Sequence, residues 1–143
     1  METFKLLIYA SDHPFFEGEC YSVVVPTLLG QQGIMARHSN YISAIIPGWV
    51  RLRYEDGGTE KTLLCAVSEG LIKIEDGDVL ILVDTAEYPE EIDENRAKRT
   101  AEAAKEELLK KHSIQEYYEV KARLSRALNR LKVKKYKDGG GGL

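Results

Sequence analysis

Residues 79–97 read Val79-Leu80-Ile81-Leu82-Val83-Asp84-Thr85-Ala86-Glu87-Tyr88-Pro89-Glu90-Glu91-Ile92-Asp93-Glu94-Asn95-Arg96-Ala97, and within them the hydrophobic period of the chain changes. Up to Val83 the pattern is that of a short apolar strand. After Pro89 it becomes that of a helix, with Glu90, Glu91 and Asp93 placed to complement the positive end of a helix dipole. Ala97, Ala101, Ala104 and Leu108 then recur on one helical face. Lys110 and Lys111 suit the C-terminal end of that helix, and His112 marks its break.

Working outward toward the N-terminus, short runs rich in Val, Ile, Leu and Tyr predict strands at 3–9, 20–25, 41–46, 50–54, 61–67 and 79–83. Turn residues separate them: His13-Pro14, Gly30 with Gly33, Pro47-Gly48, Asp56-Gly57-Gly58 and Asp76-Gly77-Asp78. Turn signals every 8–12 residues or so are those of a sandwich or barrel. The two Asp-Gly sites are hairpin signals, since Gly and Asp accept the positive φ of primed turns. No long helical pattern interrupts the strands, which argues against a parallel sheet with crossover helices.

Toward the C-terminus, Ser113-Ile114-Gln115-Glu116 has capping-box spacing. It opens a second helix with an apolar stripe of Tyr117, Val120, Leu124, Leu128 and Leu131. The connection is short, so this stripe packs on the alanine face of the first helix as an antiparallel hairpin. The predicted fold is α+β: an antiparallel β-sandwich at 1–86, a helical hairpin at 87–138 and a disordered Gly-rich end at 139–143.

The 143 residues suffice for one domain, or a small domain with an appendage. Hydrophobic content of 43% and charged content of 30% are those of a soluble globular protein. No apolar window reaches the roughly 18 residues of a membrane span, and the start lacks the layout of a secretory signal. Cys20 and Cys65 are too few and too far apart for a disulfide framework or a zinc site, which fits a reducing cytosol. The net charge of -3 is unevenly spread: -7 over 1–88, -1 over 89–112 and +5 over 113–143. An acidic body with a basic end predicts two contact surfaces, the second for an anionic partner.

A catalytic reading needs a nucleophile, a base and an orienting group. Cys20 and Cys65 sit inside strand-like runs, where a thiol is buried and inert. His13 precedes a proline in a turn, and the acids are scattered. No phosphate loop, dinucleotide fingerprint or metal-ligand cluster is present, so no catalytic or metal residue is assigned. Arg123, Arg126, Arg130, Lys132, Lys134, Lys135 and Lys137 interleave with a core stripe rather than with stacking aromatics; a solvated helix face is the plainer reading, and a protein partner presenting acidic residues fits as well as nucleic acid does.

Several stretches carry a family resemblance. Gly30-Gln31-Gln32-Gly33-Ile34-Met35 followed by His38 looks like a Gly-x-x-Gly stretch leading to a histidine. Ala44-Ile45-Ile46-Pro47-Gly48, Ser68-Glu69-Gly70-Leu71 and the 79–87 strand follow in order. Ile92-Asp93-Glu94-Asn95-Arg96-Ala97 matches an (Ile/Leu)-Asp-x-x-Arg-Ala motif opening a helix. Together these resemble the epsilon subunits of F-type ATP synthases over about residues 4–137. The chain departs at Ala36-Arg37 and Ser39-Asn40, where the family usually has Pro-Gly before the histidine and Ala-Pro after it.

The resemblance implies a non-catalytic rotor subunit, peripheral on the cytoplasmic face of the bacterial plasma membrane without inserting into it. It implies that the sandwich sits on the gamma subunit and the c-ring, with Gly30, Gly33 and His38 facing gamma. The two glycines read as turn formers. It implies that the hairpin either folds back or extends into the catalytic head of alpha and beta subunits to block hydrolysis. There Arg123, Lys132, Lys134 and Lys135 would meet an acidic loop of beta. In members that bind ATP as a regulatory ligand, the matching residues are Glu87, Ile92, Asp93, Arg96, Ala97, Arg126 and Arg130. Arg99 stands in for an arginine absent at Ala103. An ordinary Asp93–Arg96 surface ion pair is the plainer account of two of these residues. The alternative function is a stand-alone nucleotide-sensing module, and a cysteine hydrolase using Cys20 or Cys65 is the enzymatic rival.

Overall fold

The computed structural model describes residues 2–11, 13–110 and 113–139. It divides into two compact units, Met1–Glu87 and Tyr88–Leu143.

The first unit is built from strands. Alternation along β1 (Phe4–Ala10) buries Phe4, Leu6, Ile8 and Ala10 and turns the residues between them outward. β2 (His13–Thr27) is longer than the sequence indicates and takes in the expected turn at His13-Pro14. There follow β3 (Gly30–Met35), β4 (Tyr41–Ile45), β5 (Gly48–Asp56) and β6 (Thr59–Val67). β7 (Gly70–Glu75), β8 (Asp78–Val83) and the two-residue β9 (Ala86–Glu87) complete the unit.

The strand order is β4-β7-β8-β1-β2-β5-β6-β9, with β3 added on β2. β2 pairs with β1 through its first half and with β3 and β5 through its second, so it serves both layers. A register shift between Cys20 and Ser22 marks the change of partner, where an extra residue bends the strand. Pairing is antiparallel except between β1 and β8, which run parallel. The chain separates these two strands by the whole sandwich, which supplies the long connection that a parallel pair needs without a crossover helix.

Leu6, Ile8, Ile72 and Ile81 meet Val23, Val25, Val50, Leu52 and Cys65 in one core. Each fully buried Leu or Ile contributes about 1.5–3 kcal/mol. Both Asp-Gly turns are primed: Gly57 and Gly58 have φ 61 and 83, and Asp76 and Gly77 have φ 51 and 85.

The second unit starts with a single 3₁₀ turn at Pro89–Glu91 rather than with a helix. Glu91 accepts the Tyr88 N–H at 3.3 Å. α1 (Glu94–Leu108) begins after Asp93, whose carboxylate takes the Arg96 N–H at 3.1 Å. α2 (Ile114–Gly139) begins after Ser113, whose hydroxyl takes the Glu116 N–H at 3.2 Å. The two helices pack together, and the 3₁₀ turn also lies against α2. His112 and Lys111 fall outside the described residues, as does the Gly-rich end after Gly139.

On α1 the alanine face is buried as the periodicity indicates: Ala97 is 0% exposed, Ala101 3% and Ala104 0%. The stripe of α2 differs from the expected one. Val120 is buried, but Tyr117 and Leu128 are 41% and 43% exposed, and Ala127 takes the inner position. Val133, fully buried, lies about 120° round the helix from Ala127. α2 therefore buries two faces, and a single hydrophobic stripe cannot describe it.

Candidate functional site

Neither thiol is poised for chemistry. Cys20 and Cys65 are both free and fully buried, and burial pushes each up to about 12. At neutral pH both remain thiols.

The outer face of the β4-β7-β8-β1 sheet has a row of apolar side chains across neighbouring strands. Ala44 pairs with Leu71, Leu71 with Leu82 and Leu82 with Tyr9. Leu71, Leu82 and Tyr9 are about 40% exposed, and Ile42, two residues along on the same face, is 65% exposed. A second apolar point is the β2–β3 turn, where Leu28 and Leu29 are 80% and 88% exposed. Thr27 braces this turn by donating its hydroxyl to the Gly30 carbonyl at 2.8 Å and accepting the Leu29 N–H at 3.3 Å.

The two glycines of the Gly-x-x-Gly stretch differ. Gly30 has φ 109 and serves the turn. Gly33 lies inside β3 without a positive φ, so it is not a turn former. His38, half-buried, donates Nδ1–H to the Ser39 carbonyl at 2.8 Å and tilts against Tyr41 at 5.9 Å between ring centroids. Arg37 before it has φ 62, a left-handed conformation that L side chains adopt at a cost of about 1–2 kcal/mol. Its guanidinium pairs with Glu2.

In the second unit the residues matched to a nucleotide site lie on the 3₁₀ turn's exit, α1 and α2. Ile92 is buried, Ala97 is buried on α1, and Asp93, Arg96 and Arg99 are exposed. Asp93 caps α1, its Oδ1 accepting the Arg96 backbone N–H at 3.1 Å. Arg126 and Arg130 are half-buried on the α2 face that also carries Val133. Two guanidiniums one turn apart suit the paired oxygens of a phosphate. Glu87 belongs to the first unit, as the last residue of β9.

Of the basic residues, Lys132 and Lys135 are exposed and Lys134 is half-buried. Arg123 is tied to α1: its Nη1 lies 2.9 Å from the Glu107 carboxylate. That bond links two helices, a pairing the linear pattern of charges does not display.

A strand-built unit with an exposed apolar row on its outer face, followed by a second unit of two packed helices, defines a class: a β-sandwich with a helical hairpin. Comparison with known proteins makes the assignment particular. Residues 3–89 match the family described as "ATP synthase, Delta/Epsilon chain, beta-sandwich domain", and residues 90–135 match "ATP synthase, Delta/Epsilon chain, long alpha-helix domain". The chain is 42% identical over 131 residues to the ATP synthase epsilon chain of Ruminiclostridium cellulolyticum, covering 92% of this chain and 95% of that protein. It is 36% identical over 132 residues to that of Clostridium novyi, covering 92% and 98%. Among solved structures, a chain of the Euglena gracilis mitochondrial ATP synthase shares the fold with TM-score 0.75 at 22% identity, over 89% of this chain and 78% of that one. A chain of the Tetrahymena thermophila central stalk and c-ring aligns with TM-score 0.65 at 13% identity, over 93% and 97%. The chain belongs to the ATP synthase epsilon chain family, whose members are non-catalytic subunits of the ATP synthase complex. No described helix is long and apolar enough to cross a membrane.

Proposed function

We propose that the chain is a rotor subunit of the proton-translocating F-type ATP synthase. In this reading the sandwich joins the central stalk to the c-ring, and the hairpin restrains ATP hydrolysis by moving between a folded and an extended position. The observation that carries this reading is the shallow seam between α1 and α2. The buried residues of α1 are Ala97, Ala101 and Ala104, which bury little area each, and the Glu107–Arg123 bond between the helices is exposed. An arm held in this way exchanges between two packings that differ by a few kcal/mol. Once released, α2 alone reaches about 39 Å, at 1.5 Å for each of its 26 residues.

The Ala44–Leu71–Leu82–Tyr9 row supports apolar contact with the gamma subunit, alongside Gly30, Gly33 and His38. The basic end of α2, with Lys132, Lys134 and Lys135, supports contact with an acidic surface of the beta or alpha subunits. Such an attraction weakens as salt rises. ATP acts as a regulatory ligand by bridging Arg126 and Arg130 to the start of α1, which favours the folded arm. In this reading the subunit is a peripheral component at the cytoplasmic face of the membrane.

The test is ATP hydrolysis by complex reconstituted with the chain lacking residues 89–143. Hydrolysis rises while the truncated chain stays bound; an unchanged rate removes the regulatory role. Calorimetry of the full chain with ATP tests the ligand separately, with Arg126→Ala weakening binding.

A further inference from the structure

We infer that the outer edge of β3 is a strand-addition site for an uncharged extended segment of a neighbouring subunit. The inference rests on the stalk reading and specifies how that contact is made. β3 pairs only with β2 among the described residues. Pro26 has no N–H, and its carbonyl accepts the Ile46 N–H at 3.2 Å. The Pro26–Gln31 pair is therefore of the non-hydrogen-bonded kind, and by alternation so are Val24–Gly33 and Ser22–Met35. The N–H and C=O groups of Gln31, Gly33 and Met35 thus point away from β2, in the spacing that a further strand needs.

Two observations separate this edge from an ordinary protected one. Natural edges are blunted by charge, proline or bulges. The open part of β6, beyond the two residues paired with β9, carries Glu60 and Lys61. β3 carries neither charge nor proline, and no charged residue occurs between Glu19 and Arg37 in a chain that is 30% charged. The second observation is Gly33. A Cβ there meets nothing within 4 Å, and no positive φ requires glycine. Nothing inside the unit accounts for it, and its missing side chain leaves the outward backbone uncovered. An uncharged edge flanked by exposed Met35 and the Leu28–Leu29 turn fits a partner strand with backbone groups to share and no charge to desolvate.

Gly33→Pro removes one outward N–H and leaves the bonds to β2 in place, whereas Gly33→Val keeps the N–H and fills the face. Each variant is titrated, as the full chain, against ATP synthase complex depleted of this subunit. The expected result is about tenfold weaker binding for Gly33→Pro, and weaker binding for Gly33→Val as well, because its branched side chain crowds the backbone that glycine leaves uncovered. Hydrogen exchange of the wild-type chain supplies a measurement independent of variant folding. In the complex, the Gln31, Gly33 and Met35 amides gain protection while Gln32 and Ile34, already bonded to β2, change little. Equal binding by Gly33→Pro, loss on Gly33→Val alone, or no alternating protection overturns the inference. So does self-association of the free chain that Gly33→Pro abolishes while binding to the complex persists, because a second copy is then the occupant. Failure of the wild-type chain to bind the depleted complex overturns the stalk reading itself.

Discussion

Ala104→Leu tests whether the arm is held by a close, small-residue seam. The Glu107–Arg123 bond sets the antiparallel register of the two helices. One turn back from Glu107 on α1 and one turn on from Arg123 on α2 bring Ala104 level with Ala127. These residues are 0% and 2% exposed, so neither has room for growth. A leucine adds three carbons at a position with no exposed surface to grow into. Overpacking of this kind costs about 1–3 kcal/mol, which shifts the opening of the hairpin about 5- to 150-fold. Cysteines introduced at exposed Glu102 and Leu128 accept spin labels while the native thiols stay buried, and the label-to-label distance reports the opened fraction. Ala104→Leu raises that fraction, and Ala127→Gly beside it returns part of the loss, with a non-additivity of about 0.5–3 kcal/mol. In reconstituted complex the same variant strengthens inhibition of hydrolysis. An unaltered distance and a stability change within about 0.5 kcal/mol would refute the close seam, and the marginally held arm with it.

Three further outcomes are expected. A double-mutant cycle on Glu107→Gln and Arg123→Gln gives a coupling of about 0.2–1 kcal/mol by denaturation, since both side chains are over 40% exposed, and 1 M salt removes most of it. Gly70→Ala destabilises the sandwich by 3 kcal/mol or more, roughly, because a Cβ there falls on the Leu82 carbonyl and 2.8 Å from the Val83 Cα; urea unfolding measures it. Cys20 and Cys65, held at about 12, are about one part in 10⁴ thiolate at pH 8, so a disulfide reagent titrates them only after denaturant is added.

Much of this architecture was legible in the linear chain, and its gaps have physical causes. Both Asp-Gly hairpins and the α2 cap follow from side chains that act on their own neighbouring backbone, so Asp56-Gly57-Gly58, Asp76-Gly77 and Ser113 read correctly from local chemistry. Gly30 and Gly33 look alike in sequence, yet only Gly30 has the conformation that needs glycine. Whether a Gly-Gln-rich stretch is a turn or an edge strand depends on a neighbour, here β2. The Tyr117 and Leu128 positions failed for a related reason: apolarity announces a buried face only when a helix has one face to bury, and α2 has two. The nucleotide residues are as far as spacing reaches; their arginines are one turn apart by arithmetic, while the role of Asp93 as a cap emerged only with the backbone in place.

The sequence by itself determined the two-part build, because the switch from period two to period 3.6 at Pro89 is a property of consecutive residues. It determined the alanine face of α1 for the same reason. Only the tertiary structure decided that β1 runs parallel to β8, that β2 serves both layers, that Arg123 reaches Glu107 and that Ala44, Leu71, Leu82 and Tyr9 form one row. Those relations join residues up to 73 positions apart, and they are chosen by which faces can be buried together rather than by any local preference.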